Sequence, residues 1–103
     1  MKEYNKLVRD KIPEIIKNDN RKPNTRILDE TEYKKELDKK LLEEVREYLE
    51  DDNIEEIADI LEVLYAILES KKVSKKEIEK IRQSKRNKRG AFEKRIFLEN
   101  IDE

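Results

Sequence analysis

The apolar positions of this chain fall into two long periodic runs flanked by shorter ones. Leu37, Leu41, Leu42, Val45, Tyr48 and Leu49 recur every three or four residues, as do Ile54, Ile57, Ile60, Leu61, Leu64, Ile67 and Leu68. That is the period of an α-helix with one face toward a core. Asp29 with Glu32 caps the first long helix, which the pattern carries to about Glu50, and Asp51, Asp52 and Asn53 make the turn into a second, from about Ile54 to Lys71. Ser74 with Glu77 is a capping box for a third, from about Lys75 to Lys88, stopped near Gly90. Ahead of them lie a short arm at residues 4–8, a brief helix from Asp10 to Asn18 with Pro13 in its first turn and Asp10 as its cap, and a polar loop containing Pro23. The tail from Phe92 to Ile101 alternates loosely at Ile96 and Leu98 and reads as a short strand or an extended arm. The expectation is an all-α helical bundle in one small domain of 103 residues, whose core a second copy would help to complete.

Three acids interrupt the apolar faces. At about 100° per residue, Glu44 points about 20° from Leu37, Glu56 lies between the directions of Val63 and Ile67, and Asp59 lies between those of Val63 and Ala66. Glu55, Glu62 and Glu69 share the opposite, polar side of their helix. An unpartnered carboxylate on a core-facing side costs several kcal/mol, so these three need a cation, a basic partner or water. The spacing adds to this, because residues three apart share a helix face. Glu44 with Glu47, and Glu56 with Asp59, each make a two-pronged oxygen ligand. If the two helices lie side by side, four carboxylates converge, and a hard divalent cation is what makes that arrangement inexpensive. The chemistry indicated is magnesium-dependent work on phosphates. Half the residues are charged, however, so acids three apart also arise by chance, and Asn53 with Glu56 fits a capping box as well.

Composition narrows the chemistry further. There is no cysteine and no histidine, which removes disulfides, thiolate nucleophiles, zinc-finger spacing and the usual general base. Hydrolysis would have to run on carboxylates, lysines, arginines and metal-activated water. No apolar run is long enough to span a bilayer and the N-terminus is too charged for a secretory signal, so the expected setting is cytoplasmic, with no membrane partner. The net charge of −1 hides a segregation: residues 1–28 carry eight basic and four acidic side chains, 29–69 five and sixteen, and 71–95 twelve and three. An acidic centre between basic flanks suits a cation with a polyphosphate, and equally suits charge pairing between neighbouring helices.

Four segments, in order, carry a resemblance to a known family. They are Tyr4-Asn5-Lys6-Leu7-Val8-Arg9-Asp10-Lys11-Ile12-Pro13, Lys40-Leu41-Leu42-Glu43-Glu44-Val45-Arg46-Glu47, Glu56-Ile57-Ala58-Asp59 and Arg89-Gly90-Ala91-Phe92. Together they resemble the MazG-like branch of the all-α nucleoside triphosphate pyrophosphohydrolases, small members of which are often described as similar to phosphoribosyl-ATP pyrophosphohydrolase. The resemblance implies a helical enzyme, dimeric or tetrameric, that uses Mg2+, with Mn2+ as a substitute. It would cleave the α–β phosphoanhydride of a nucleotide to a nucleoside monophosphate and pyrophosphate. Carried over by position, Glu44, Glu47, Glu56 and Asp59 are metal ligands, and Glu43, Glu44 and Glu47 form the catalytic group, with Glu43 behind the ligands or orienting water. Lys6, Arg9 and Lys11 in the arm, and Arg89, Lys94 and Arg95 near the tail, match basic positions around the motifs and are the expected phosphate contacts. The family commonly has two glycines before the phenylalanine, where this chain has Gly90-Ala91.

The base is not legible. Tyr4, Tyr33, Tyr48, Tyr65, Phe92 and Phe97 are each able to stack on one, though helical spacing makes Tyr48 and Tyr65 core residues first. Phosphoribosyl-ATP is an alternative substrate within the same chemistry. A different class of function is a non-catalytic module that binds nucleic-acid phosphates through Lys75, Lys76, Lys80, Arg82, Lys85, Arg86, Lys88 and Arg89. Those cations spread around the third long helix with no aromatic residues between them, so nucleic acid is not the expected partner. A third reading is an oligomeriser that has kept the fold and lost activity.

Overall fold

The computed structural model describes residues 2–102, which form four helices and, among the described residues, no strand: α1 (Ile12–Asn18), α2 (Glu30–Asp51), α3 (Ile54–Ser70) and α4 (Lys75–Arg89). The fold is all-α, as the apolar periodicity predicts. No helix among the described residues is long and apolar enough to cross a membrane. The chain forms two compact units, one within residues 1–72 and one within 73–103.

The first unit is built on the α2–α3 hairpin. Asp29 Oδ1 accepts from the Glu32 N–H at 2.8 Å and so starts α2 where the sequence places it. Asp52 closes α2 in the left-handed conformation (φ 49°, ψ 46°), which a short polar side chain tolerates better than most. Asn53 then turns extended and accepts from the Glu55 N–H at 2.9 Å to start α3. Two residues between helices force them to run back along each other, and α2 and α3 pack together. Asn53 accepts from Glu55, and no side-chain bond joins it to Glu56, so the helix is capped without the capping box that Asn53 and Glu56 suggest.

The packed faces differ from the apolar stripes in one instructive way. Leu37 and Val63 are buried, with Leu41, Val45, Ile57, Ile60 and Ile67 half-buried around them. The face α3 turns to α2 is therefore centred on Val63, at the edge of its apolar stripe. Leu42, Leu49, Ile54, Leu61, Leu64 and Tyr65 remain exposed, because a two-helix hairpin buries one side of each helix and a stripe more than 100° wide exceeds that. The shift brings Glu56 and Asp59 onto the packed side of α3, where they meet Glu44 of α2.

One local expectation is corrected. α1 begins at Ile12, with Lys11 at its N-cap and no side-chain cap, so Asp10 is not the capping residue. The turn closed by Ile12 N–H on the Arg9 carbonyl (3.0 Å) sets the helix start one residue beyond Asp10's reach, with Pro13 in the first turn as expected. Of the two readings of the tail the extended arm holds: it is exposed, with a single turn after Phe92, and among the described residues no strand is present to pair with it.

In the second unit, Ser74 Oγ accepts from the Glu77 N–H at 3.0 Å and starts α4 as expected. Gly90 ends it at φ 84°, a conformation that disfavours any side chain. Ala91 is not in the left-handed region, so the backbone asks for a glycine at the first position of the Gly90-Ala91 pair and not at the second.

Candidate metal centre

The α2–α3 packing brings together one oxygen each from Glu44, Glu56 and Asp59, all within 4.8 Å of one another. Glu44 is the innermost: only 6% of the residue is exposed, and its Oε2 is buried with no hydrogen-bond partner. Its Oε1 has Lys40 Nζ at 3.5 Å, and the Glu47 carboxyl also lies against it. Glu56 Oε2 is likewise shut off from solvent without a partner. Buried carboxylate oxygens are ordinarily satisfied, and two acids with orphaned oxygens converging with a third acid offer a donor set with the hardness and charge a divalent cation requires.

Electrostatics point the same way. Burial pushes the Glu44 carboxyl up from its ordinary value, and the neighbouring Glu47 pushes it further, with Asp59 adding and Lys40 opposing. Glu56 is raised by burial first, then by Glu47, Asp59 and Asp51. Glu47 thus sits against both raised acids from one turn along α2, although it is not one of the three converging oxygens. In the chain alone these acids repel, and a cation among them would remove the repulsion.

Around this centre stands a set of basic partners. Lys6 Nζ binds Glu43 Oε1 at 2.8 Å, and Lys40 Nζ reaches Glu43 Oε2 at 3.2 Å. The Lys6 hydrogen bond holds the Glu43 carboxyl below its ordinary value, with Lys40 assisting, and Glu43 in turn raises Lys6. Arg9 donates to Asp59 Oδ1 at 2.7 Å. Two expected phosphate contacts, Lys6 and Arg9, therefore lie on acids of the site. Lys11 caps α1 and is exposed, whereas Arg89, Lys94 and Arg95 belong to the second unit, where all three are exposed.

Lys40 is the site residue that sequence reasoning passed over. Its signal was present, since it precedes Glu43 by three and Glu44 by four, and it is largely buried against both. Of the aromatic residues, Tyr48 is half-buried, Tyr65 lies on the open apolar face, and Tyr4, Phe92 and Phe97 are exposed. On α4, Lys80, Lys85, Lys88 and Arg89 line a shallow groove with Ile81 and Ser84. Elsewhere on α4, Arg82 pairs with Glu79, and Arg86 with Glu93.

Comparison of the chain with models of known protein families, with curated proteins and with solved structures finds no match.

Proposed function

We propose that this protein is a magnesium-dependent nucleotide pyrophosphohydrolase, which cleaves the α–β phosphoanhydride of a nucleoside triphosphate to give a nucleoside monophosphate and pyrophosphate in the upkeep of nucleotide pools. The observation that carries the reading is the convergence of carboxylate oxygens from Glu44, Glu56 and Asp59 at a buried Glu44 that has one oxygen without a hydrogen-bond partner. Glu44, Glu56 and Asp59 would hold the cation. Bound there, Mg2+ supplies charge neutralisation for the phosphate oxygens and lowers the pKa of water. Glu47, beside Glu44 and Glu56 but outside the three converging oxygens, takes the proton of the attacking water in a chain without histidine. Glu43, already committed to Lys6 and Lys40, fixes those two lysines in place. The resemblance of the four segments between Tyr4 and Phe92 to the MazG-like family is in keeping with the same chemistry.

The working form is a homo-oligomer, a dimer in the first instance. Among the described residues only Leu37 and Val63 are buried apolar side chains, while Leu42, Leu49, Ile54, Leu61 and Leu64 stay open on α2 and α3. A second copy laid against that face supplies the missing core.

The test is to incubate the full chain with canonical and modified nucleoside triphosphates and with phosphoribosyl-ATP, with and without Mg2+, and to identify products by chromatography. Monophosphate with pyrophosphate, formed only with metal, supports the reading and ranks the substrates. Turnover of phosphoribosyl-ATP alone would place the enzyme in histidine biosynthesis. No product from any of them would refute the pyrophosphohydrolase.

A further inference from the structure

Arg9 is in a position that a static phosphate-binding residue would not choose. Its guanidinium donates to Asp59 Oδ1 at 2.7 Å, and Asp59 is one of the three acids whose oxygens converge with those of Glu44 and Glu56. The site is more than an acidic patch, because Glu44, one of its three converging acids, is only 6% exposed and has a buried oxygen with no hydrogen-bond partner. Arg9 supplies a single positive charge at the rim of this cluster, where a divalent cation would bring two to its centre. Both partners of the pair are substantially open to water, at 56% and 38% of their side-chain surface, so the contact is held weakly.

The backbone around Arg9 is arranged so that its side chain can leave while its main chain stays. The Arg9 carbonyl accepts from the Ile12 N–H at 3.0 Å, at the threshold of α1. Three residues earlier, Lys6 is tied to Glu43 of α2 at 2.8 Å, and Glu43 is not among the converging acids. The arm is thus held at both ends of the Lys6–Arg9 stretch, and the guanidinium, paired with Asp59 at the edge of the site and open to water, is the part that can exchange partners. We propose that Arg9 holds the place of the divalent cation at Asp59: metal binding releases the guanidinium, which then takes a phosphate oxygen of the incoming ligand, while Lys6 remains on Glu43 as the tether. This rests on the metal-site reading above and adds an order to it, with the metal first and phosphate recognition second.

The exchange predicts effects of opposite sign. Calorimetric titration of the full chain with Mg2+ alone should show Arg9→Gln binding about two- to fivefold tighter than wild type, the range set by an exposed ion pair. With Mg2+ in excess, inorganic pyrophosphate should bind Arg9→Gln about tenfold weaker or more, as expected for loss of a charged hydrogen bond. Arg9→Lys should restore much of both, and Lys6→Gln should change Mg2+ affinity less than Arg9→Gln. The exchange is overturned if Arg9→Gln leaves either affinity unchanged, or if Lys6→Gln tightens Mg2+ equally, which would reduce the effect to net charge. Wild-type protein that binds no Mg2+, or whose Mg2+ binding survives Glu44→Gln, would overturn the metal site and the exchange together. Wild-type binding that is lost in Glu44→Gln but indifferent to Arg9 would overturn the exchange alone.

Discussion

Replacing Glu44 by glutamine should make the metal-free protein more stable, and the size and pH dependence of the gain follow from the site. One Glu44 oxygen has a lysine at 3.5 Å, too long for a strong bond, the other is buried without a partner, and the carboxylates of Glu56 and Asp59 converge on the same residue. An unsatisfied buried polar group costs about 1–3 kcal/mol, and with Lys40 offsetting part of it we expect the lower end, about 1 kcal/mol gained by Glu44→Gln at pH 7. In a domain of this size that is a rise in Tm of about 4–8 °C. The folded carboxyl lies above its unfolded value, so the protonated form is the one the fold favours. The stability associated with it is fully present below the unfolded value near 4.5 and is lost as pH rises through the higher folded value. The gap between variant and wild type should therefore close as pH falls toward 4.5 and open toward neutrality. Thermal unfolding followed by circular dichroism in EDTA across that range measures it. Adding Mg2+ should raise the wild-type Tm and leave Glu44→Gln unmoved. A variant less stable than wild type at pH 7, or a gap independent of pH, would refute the account of Glu44 as an unpartnered buried acid.

Three further outcomes follow from the same packing. Asp59→Asn should abolish nucleotide turnover while leaving the helical circular dichroism within a few per cent of wild type, because it removes a ligand and not a core group. Leu49→Lys, on the open apolar face, should shift sedimentation from a dimer to a monomer with little loss of helix, whereas an unchanged assembly would place the interface elsewhere. Leu37→Ala removes one of two buried apolar side chains among the described residues and should cost about 2–5 kcal/mol in urea unfolding, and a loss under 1 kcal/mol would mean that the α2–α3 face is not the core.

The helices were legible in the sequence because their signals are local. Asp29, Asn53 and Ser74 cap the three long helices, and each side chain accepts from a first-turn N–H where the pattern places it. The start of α1 was misplaced by a turn closed on the Arg9 carbonyl, a backbone bond that no side-chain type announces. The inward angles of Glu44, Glu56 and Asp59 were also legible, since they depend only on helical period. Which edge of the α3 stripe meets α2 was not, because periodicity gives the width of an apolar face and tertiary packing selects the part of it that is covered. Lys6 and Arg9 illustrate the same limit: their charge suggested phosphate, but their pairing with Glu43 and Asp59 joins residues 37 and 50 apart in the chain.

The most direct test of the central claim compares wild type and Glu44→Gln on a nucleoside triphosphate that the wild type turns over, in Mg2+ and in EDTA, with products separated by chromatography. Wild type in Mg2+ should give nucleoside monophosphate and intact pyrophosphate, and the other three reactions neither. Equal turnover by Glu44→Gln, turnover in EDTA, or diphosphate with inorganic phosphate as the products would contradict that claim.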